Sequence, residues 1–414
     1  MDRLYCDYNA TTPLHPQVLA QMLQAADPRF GNPSSQHREG RQARQLIEGA
    51  RQQVAALLDA HPSELVFTSG GTEANNLALA AVAQSIQRTH GRPARVISSP
   101  LEHPSIRATL AALADHGCQV RELSPDGRGR LNVDELARLL KDQPADLVSL
   151  ALCNHELGNV YPIAELAEVA HAHGALFHCD AIQAVGRLPL SLSRLPVDLL
   201  SISAHKLFGP KGVGALYLRT IGGPTARRGE EAARRHGNKS VPNTRPSLAD
   251  LPPLLRGGPQ ERGLRPGTEN LLGIVGFGAA AQLSQQELLA AWQRLPPLRD
   301  QLAAELQREI AGARQQGDDD PLAPRAPGTL NLSVADVEGE LLMMNLDLRG
   351  IAVSTGAACS SGSVKPSPVL LALGQSDKQA RQAIRISLGP YTTPADIERL
   401  KRAISESVAQ VRAV

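Results

Sequence analysis

Asp198-Leu199-Leu200-Ser201-Ile202-Ser203-Ala204-His205-Lys206 is a short apolar run that ends in a cluster of reactive side chains. Similar runs stand on either side of it. They are Glu64–Ser69 (ELVFTS), Ala94–Ser99 (ARVISS), Leu147–Cys153 (LVSLALC), Ala175–Asp180 (ALFHCD) and Gly212–Arg219 (GVGALYLR). Helical patterns divide them, from about Thr72, from His103-Pro104 and over Ile163–Gly174. Short apolar runs separated by helices predict an α/β protein with a mostly parallel sheet covered on both faces. The pattern fails from about Gly222 to Gly258. This stretch is rich in Gly, Pro and Arg, and reads as a long mobile loop. Glu230-Glu231 interrupts its basic residues, which argues against a nucleic-acid-binding arm. Beyond it, Asn270–Glu309, Glu338–Leu348 and Asp396–Val411 read as helical. Gly328–Val334, Ile351–Ser354 and Ala383–Ser387 read as strands. Together they predict a smaller α+β domain. No internal repeat is visible.

The bulk properties narrow the function classes. A chain of 414 residues suggests two or three domains, and 42% apolar residues suffice for a sizeable core. The net charge is +2, from 43 basic and 41 acidic residues, so nothing demands nucleic acid or an anionic membrane. Aromatic residues make up only 3%, too few for base-stacking platforms. The five cysteines contain no Cys-x-x-Cys pair, no secretory segment opens the chain, and no apolar run approaches the roughly 20 residues of a membrane span. The expectation is a soluble cytoplasmic protein with reduced thiols. His171, His173, His178 and Cys179 show no recognised ligand spacing, so no metal is expected. No Walker-type phosphate loop appears.

In open parallel sheets, ligands bind beyond the carboxyl ends of the strands. Here those ends carry Ser69-Gly70-Gly71-Thr72, Glu102-His103, Asn154-His155-Glu156, Asp180-Ala181-Ile182-Gln183 and Ser203-Ala204-His205-Lys206. Each is weak alone, and five at one edge predict a cavity. A phosphorylated pyridine ring gives every position a role. Gly70-Gly71-Thr72 opens a helix whose free N–H groups could cradle a phosphate, although an ordinary Thr cap reads the same way. Asp180 ends a buried strand and needs a partner, which a pyridinium N–H would supply; a helix N-cap is the plainer alternative. His103 could stack on the ring and shuttle protons. Gln183 could donate to the ring hydroxyl, and Ser203 and His205 could complete the phosphate cup. An ordinary lysine amine titrates near about 10.4, but within a site it can be lowered and form imines. Lys206 is therefore expected to hold pyridoxal 5'-phosphate as a Schiff base. Cys6, Cys118, Cys153 and Cys179 read as small buried residues. Cys359 differs, because the small-residue run Ser354–Ser363 suggests a mobile loop exposing a thiol.

With these residues in view, the chain resembles the cysteine desulfurases of the NifS/IscS-like group in the class V aminotransferase family over nearly its whole length. The matching segments include Asp7–Pro13 (DYNATTP), Phe30–Ser35 (FGNPSS), Thr68–Glu73 (TSGGTE), Glu102-His103 and Asp180–Gln183 (DAIQ). Ser203–Gly212 (SAHKLFGPKG), Glu261–Asn270 (ERGLRPGTEN), the Cys359 loop and Arg385–Gly389 (RISLG) continue the series. The resemblance implies a fold-type-I PLP-dependent transferase with a seven-stranded, mostly parallel sheet. It implies a large domain over 16–260, with an insertion at about 222–258, and a small domain from 1–15 plus 261–414. It implies a homodimer in which Thr268 reaches the neighbouring subunit's cofactor phosphate. Arg385 would hold the substrate α-carboxylate, with Asn9 and Asn154 at the substrate. L-cysteine would become L-alanine, and its sulfur would pass to Cys359 as a persulfide and on to an acceptor protein, in iron–sulfur cluster assembly or another sulfur pathway. Three departures accompany it. His155 replaces the usual second Asn, the 222–258 loop is longer by about twenty residues, and Val414 follows the last predicted helix without the extension that docks an iron–sulfur scaffold. The alternatives are a selenocysteine lyase or aminotransferase of the same fold, and a non-enzymatic scaffold in a sulfur-transfer complex.

Overall fold

The computed structural model describes residues 3–26, 31–219, 248, 251–355 and 365–413. Its strands are β1 (Leu4–Tyr5), β2 (Leu65–Thr68), β3 (Arg95–Ser98), β4 (Gln119–Glu122), β5 (Leu147–Ala151), β6 (Leu176–Asp180), β7 (Leu199–Ser203), β8 (Gly214–Leu218), β9 (Ala313–Gln316), β10 (Thr329–Val334), β11 (Ile351–Ala352) and β12 (Ala383–Ser387). Seven of them form the main sheet, in the order β2-β8-β7-β6-β5-β3-β4. Only β8 runs against the rest. The strands β5, β6 and β7 are buried at every residue, which is why they read as unbroken apolar runs. The seventh strand, β4, has no such run. It lies at the sheet edge with four partly or fully exposed residues, and sequence periodicity does not find it.

The helices that matter for the site are α1 (Pro16–Ala26), α2 (Arg38–Leu58), α3 (Gly71–His90), α4 (Pro104–Asp115), α5 (Val133–Asp142), α6 (Ile163–Ala172) and α7 (Leu271–Leu283). The continuous helix expected over Asn270–Glu309 is instead broken. The helix runs on from α7 through a π-turn at Ser284–Leu288 to Trp292, and after a turn α8 (Leu295–Glu309) starts anew with Pro296 in its first turn. The longer helices α9 (Gly339–Leu348) and α10 (Pro394–Arg412) follow, with two short helices, Pro368–Ala372 and Asp377–Arg381, between them. No helix among the described residues is long and apolar enough to cross a membrane.

The C-terminal part carries a three-stranded antiparallel sheet, β12-β10-β9, and the parallel pair β1-β11. The chain's beginning therefore joins its end, with Leu4 opposite Ile351 and Asp7 bridged to Ser387. One apolar cluster runs from the main sheet (Leu150, Phe177, Ile202) into this region (Leu332, Ile384, Ile386). The helix α7 packs against α1 and α2. A methyl group at Gly278 would lie 2.7 Å from Ala50 Cα, so only glycine allows that approach. Most of the expected 222–258 loop lies outside the described residues. Its apolar end does not behave as a loose loop, because Leu248 and Leu251 are buried against Leu77 and Leu216.

A buried ion pair ties these layers together. Arg51 on α2 meets Glu261 in a fork, Nη1–Oε2 at 2.9 Å and Nη2–Oε1 at 2.6 Å. Glu261 also accepts the Phe67 N–H at 2.9 Å, and Arg51 donates to Leu65 O at 3.1 Å. Removing one partner strands the other charge in the interior. Glu261→Ala should lower unfolding stability by about 3–5 kcal/mol in urea denaturation.

Candidate active site

Because β2, β3, β5, β6 and β7 all run the same way, their carboxyl ends share one edge of the sheet. Lys206 follows β7 in a single 3-10 turn and is only 9% exposed. Its Nζ donates to two carbonyls of the N-terminal segment, Asn9 O and Ala10 O, the latter at 2.7 Å. That segment thus lies across the sheet edge, held by a lysine almost two hundred residues away in sequence.

Asp180 ends β6 and is buried. A turn follows it rather than a helix, so it is not an N-cap. Its Oδ2 accepts from Asn75 Nδ2 at 2.8 Å and its Oδ1 from Ile182 N–H at 3.0 Å. Burial pushes the carboxyl above the usual carboxylate range, while the Ile182 bond pulls it back. Such a group is completed by a cationic N–H partner. Asn75, absent from the sequence reading, sits three residues after Thr72, about one helical turn along α3, and also donates to Ser105 Oγ at 2.9 Å.

The residues expected to form a phosphate cup pack closely. The helix α3 opens at Gly71, and a methyl group there would fall 2.2 Å from Ile182 Cδ1 and 3.5 Å from Ser203 Cβ. The helix start, Ser203 and the loop after Asp180 are therefore pressed together, with exposed Thr72 at the rim. A methyl group at Gly70 would meet nothing within 4 Å, so the approach to these N–H groups is open. His205 lies beside them with Nδ1 3.1 Å from Thr11 Oγ1. Burial, then the Lys206 charge, pushes it down to about 4 and leaves it neutral.

His103 is the N-cap of α4, and its Nδ1 accepts the Ser105 N–H at 3.1 Å. A neutral ring accepting at Nδ1 carries its proton on Nε2. His155 meets it edge to face, with ring centroids 5.3 Å apart. Burial lowers both histidines, in His103 against the pull of Asp180, and His155 falls well below its ordinary value. The neighbouring strand-end carboxyls, Glu102 and Glu156, are pushed by burial to about 8 and about 7.

The substrate side departs from expectation at Asn9. Its amide donates to His155 O at 3.1 Å and Thr329 Oγ1 at 2.9 Å, and its carbonyl oxygen accepts from Arg187 at 2.7 Å. Asn9 is thus a tie between segments whose side chain is fully engaged, not a free substrate contact. Arg187, unnoticed in the sequence, is the centre of this knot. It is buried, donates also to Gln183 Oε1 at 2.9 Å and Tyr8 O at 2.8 Å, and covers the Trp292 ring at 4.8 Å. Gln183 spends one amide hydrogen on Asn9 O at 2.9 Å. Asn154 holds the His155 turn, accepting from Glu156 N–H at 2.9 Å and Leu157 N–H at 2.8 Å and donating to Leu101 O at 3.0 Å. Arg385 on β12 donates to Asp7 Oδ1 at 2.8 Å and His155 O at 3.1 Å. Thr268 is exposed, in the segment leading into α7.

Cys359 lies outside the described residues. The chain on both sides of it is described, and both sides are anchored at the site. Ser354 exchanges backbone bonds with Arg385, at 3.1 and 2.6 Å, and Ser367 Oγ donates to Glu156 Oε2 at 2.5 Å.

Residues 4–400 match the aminotransferase class-V family. The chain belongs to this family. Among class-V relatives, it is 38% identical to the cysteine desulfurase IscS of Dictyoglomus turgidum, over 99% of this chain and 96% of the relative. It is 42% identical to a cysteine desulfurase of Cereibacter sphaeroides, over 100% and 98%. A solved NifS-like protein superposes with a TM-score of 0.83 at 34% identity, covering 98% of this chain and 99% of the other. The fold is that of fold-type-I pyridoxal phosphate enzymes. That cofactor fits the class-V site described here. Lys206 would anchor it, Asp180 would face its ring nitrogen, His103 its ring face, and Gly71, Thr72, Ser203 and His205 its phosphate. The histidines weighed as metal ligands are dispersed and engaged. His171 meets Asp198 at 2.8 Å, and His178 lies between Ser149 and Ser201, both at 2.9 Å. Among the described residues no group of three metal-ligating side chains occurs.

Proposed function

We propose that this class-V protein is a pyridoxal phosphate-dependent cysteine desulfurase, with Cys359 as the sulfur-accepting thiol. The observation that carries the reading is the anchoring of the Cys359 segment. Its two roots are tied to Arg385 and to the His155-Glu156 turn, beside the edge where Lys206 emerges. Arg385 holds the α-carboxylate of L-cysteine, and Asn154 lines the substrate side from the turn it braces. A bound pyridoxal phosphate would supply an electron sink, and Asp180 would keep its ring nitrogen protonated. His103 would move protons at Nε2, and His155 and Gln183 would serve the ring hydroxyl. The Cys359 thiolate attacks the substrate sulfur. An Sγ–S bond forms and the Cβ–S bond breaks. The electron pair stays with Cβ, which takes a proton to give L-alanine. Cys359 is left as a persulfide for an acceptor protein.

The enzyme acts in this reading as a cytoplasmic homodimer in which exposed Thr268 reaches the neighbouring subunit's phosphate site. In this reading the large domain spans 16–260, and the small domain joins 1–15 to 261–414. Mass spectrometry of the Cys359 peptide after incubation with L-cysteine tests the reading. One added sulfur on Cys359 is expected, and an unmodified Cys359 under turnover would refute it.

A further inference from the structure

Arg385, the residue that reads the substrate carboxylate, is already paired in this structure. Nη2 donates to Asp7 Oδ1 at 2.8 Å and Nη1 to His155 O at 3.1 Å. Its Nε is buried with no hydrogen-bond partner. A complementary group stands one strand away. Asn331 lies directly opposite Arg385 in the antiparallel register of β10 and β12. Directly opposed residues project from the same face with Cβ atoms about 4.5–5.5 Å apart. Asn331 is 0% exposed, and neither its Oδ1 nor its Nδ2 has a partner. Its neighbours along the same face are both engaged, Thr329 Oγ1 with Asn9 at 2.9 Å and Ser333 Oγ with Gln316 at 2.6 Å. An unbonded donor on Arg385 and an unbonded acceptor on Asn331 thus belong to directly opposed residues of one sheet face. Buried polar groups of this kind are destabilising unless a partner arrives.

We propose that Arg385 has two seats, one on Asp7 and one braced by Asn331. Without substrate, the guanidinium rests on Asp7. When an α-carboxylate enters, it takes Nη2 from Asp7 and Nη1 from His155 O, and Nε turns to donate to Asn331 Oδ1. Asp7 can release the arginine because its side chain is 18% exposed, against 4% for Arg385, so water can solvate the freed carboxylate. Asp7 and Asn331 are then positioning residues. Asp7 competes with the substrate carboxylate, and Asn331 supports the engaged form. The inference rests on the reading of Arg385 as the carboxylate holder.

Binding of the product L-alanine and of alaninamide, which lacks the carboxylate charge, can be followed on the holoenzyme by its visible absorbance. In Asp7→Asn, L-alanine should bind about three- to tenfold tighter, with alaninamide unchanged. In Asn331→Leu, L-alanine should bind about tenfold more weakly, with alaninamide unchanged. The melting temperature of Asn331→Leu should not fall, because an unbonded carboxamide is exchanged for hydrocarbon. Asn331→Ala serves as the second variant if leucine prevents folding. Weaker or unchanged L-alanine binding in Asp7→Asn overturns the proposal, because Asp7 would then be a fixed brace. So does a lower melting temperature with unchanged L-alanine binding in the Asn331 variants. Arg385→Gln separates the two levels. If it weakens L-alanine alone while the Asp7 and Asn331 variants change nothing, only the two-seat device fails. If it affects L-alanine and alaninamide equally, the carboxylate role of Arg385 fails as well.

Discussion

Lys206→Ala should lose turnover of L-cysteine by at least about 10³-fold, the scale seen when a covalent-catalysis residue is removed. The change acts at two levels. It removes the amine that would anchor the cofactor at the end of β7. It also leaves the carbonyls of Asn9 and Ala10 without the donor that holds the N-terminal segment across the site. Asn9 O keeps its bond from Gln183, but Ala10 O loses its donor, and a lost bond of this kind costs about 1–3 kcal/mol, so the variant should also melt at a lower temperature. Lys206→Arg keeps a cation near those carbonyls but not the nucleophile. It should recover part of the melting temperature and none of the activity. Borohydride reduction of the wild-type holoenzyme followed by peptide mapping checks the anchor. Cofactor attached to any lysine other than Lys206 would contradict the assignment.

Cys359→Ser should keep the yellow cofactor and abolish sulfide release from L-cysteine. The two effects separate because the groups that would hold the cofactor, Lys206, Asp180 and the α3 start, belong to the main sheet. The Cys359 segment grows instead from β11 and returns at Ser367, next to Arg385 and Glu156. A serine hydroxyl is far less nucleophilic than a thiolate and has no route to a persulfide. Sulfide release at the wild-type rate would sink the desulfurase mechanism. Loss of the visible absorbance would show instead that Cys359 supports the cofactor site.

Much of this site is legible from strand ends alone. Lys206, Asp180, His103 and Ser203 follow apolar runs whose direction is common to the sheet, so their convergence needs no coordinates beyond the parallel order. Gly71 is a different case. The sequence points to a phosphate-binding helix start, but the need for glycine comes from Ile182, which is brought against it by β6. The edge strand β4 and the break after α7 escape because one lacks an apolar run and the other is a helix-to-helix change without a change of period.

What the sequence determined by itself is the class of fold, the order of reactive residues along the sheet edge and the isolation of Cys359 in a small-residue run. These follow from local periodicity and composition, which the chain carries without reference to its distant parts. Tertiary structure alone decided which groups hold one another. Asn9 is a tie rather than a free substrate contact because Arg187, His155 and Thr329 converge on it. Asn75 is the partner of Asp180, and Arg385 rests on Asp7 opposite an unbonded Asn331. The reason is physical. A hydrogen bond depends on the direction and distance of two groups that may be hundreds of residues apart, and no local pattern records that meeting.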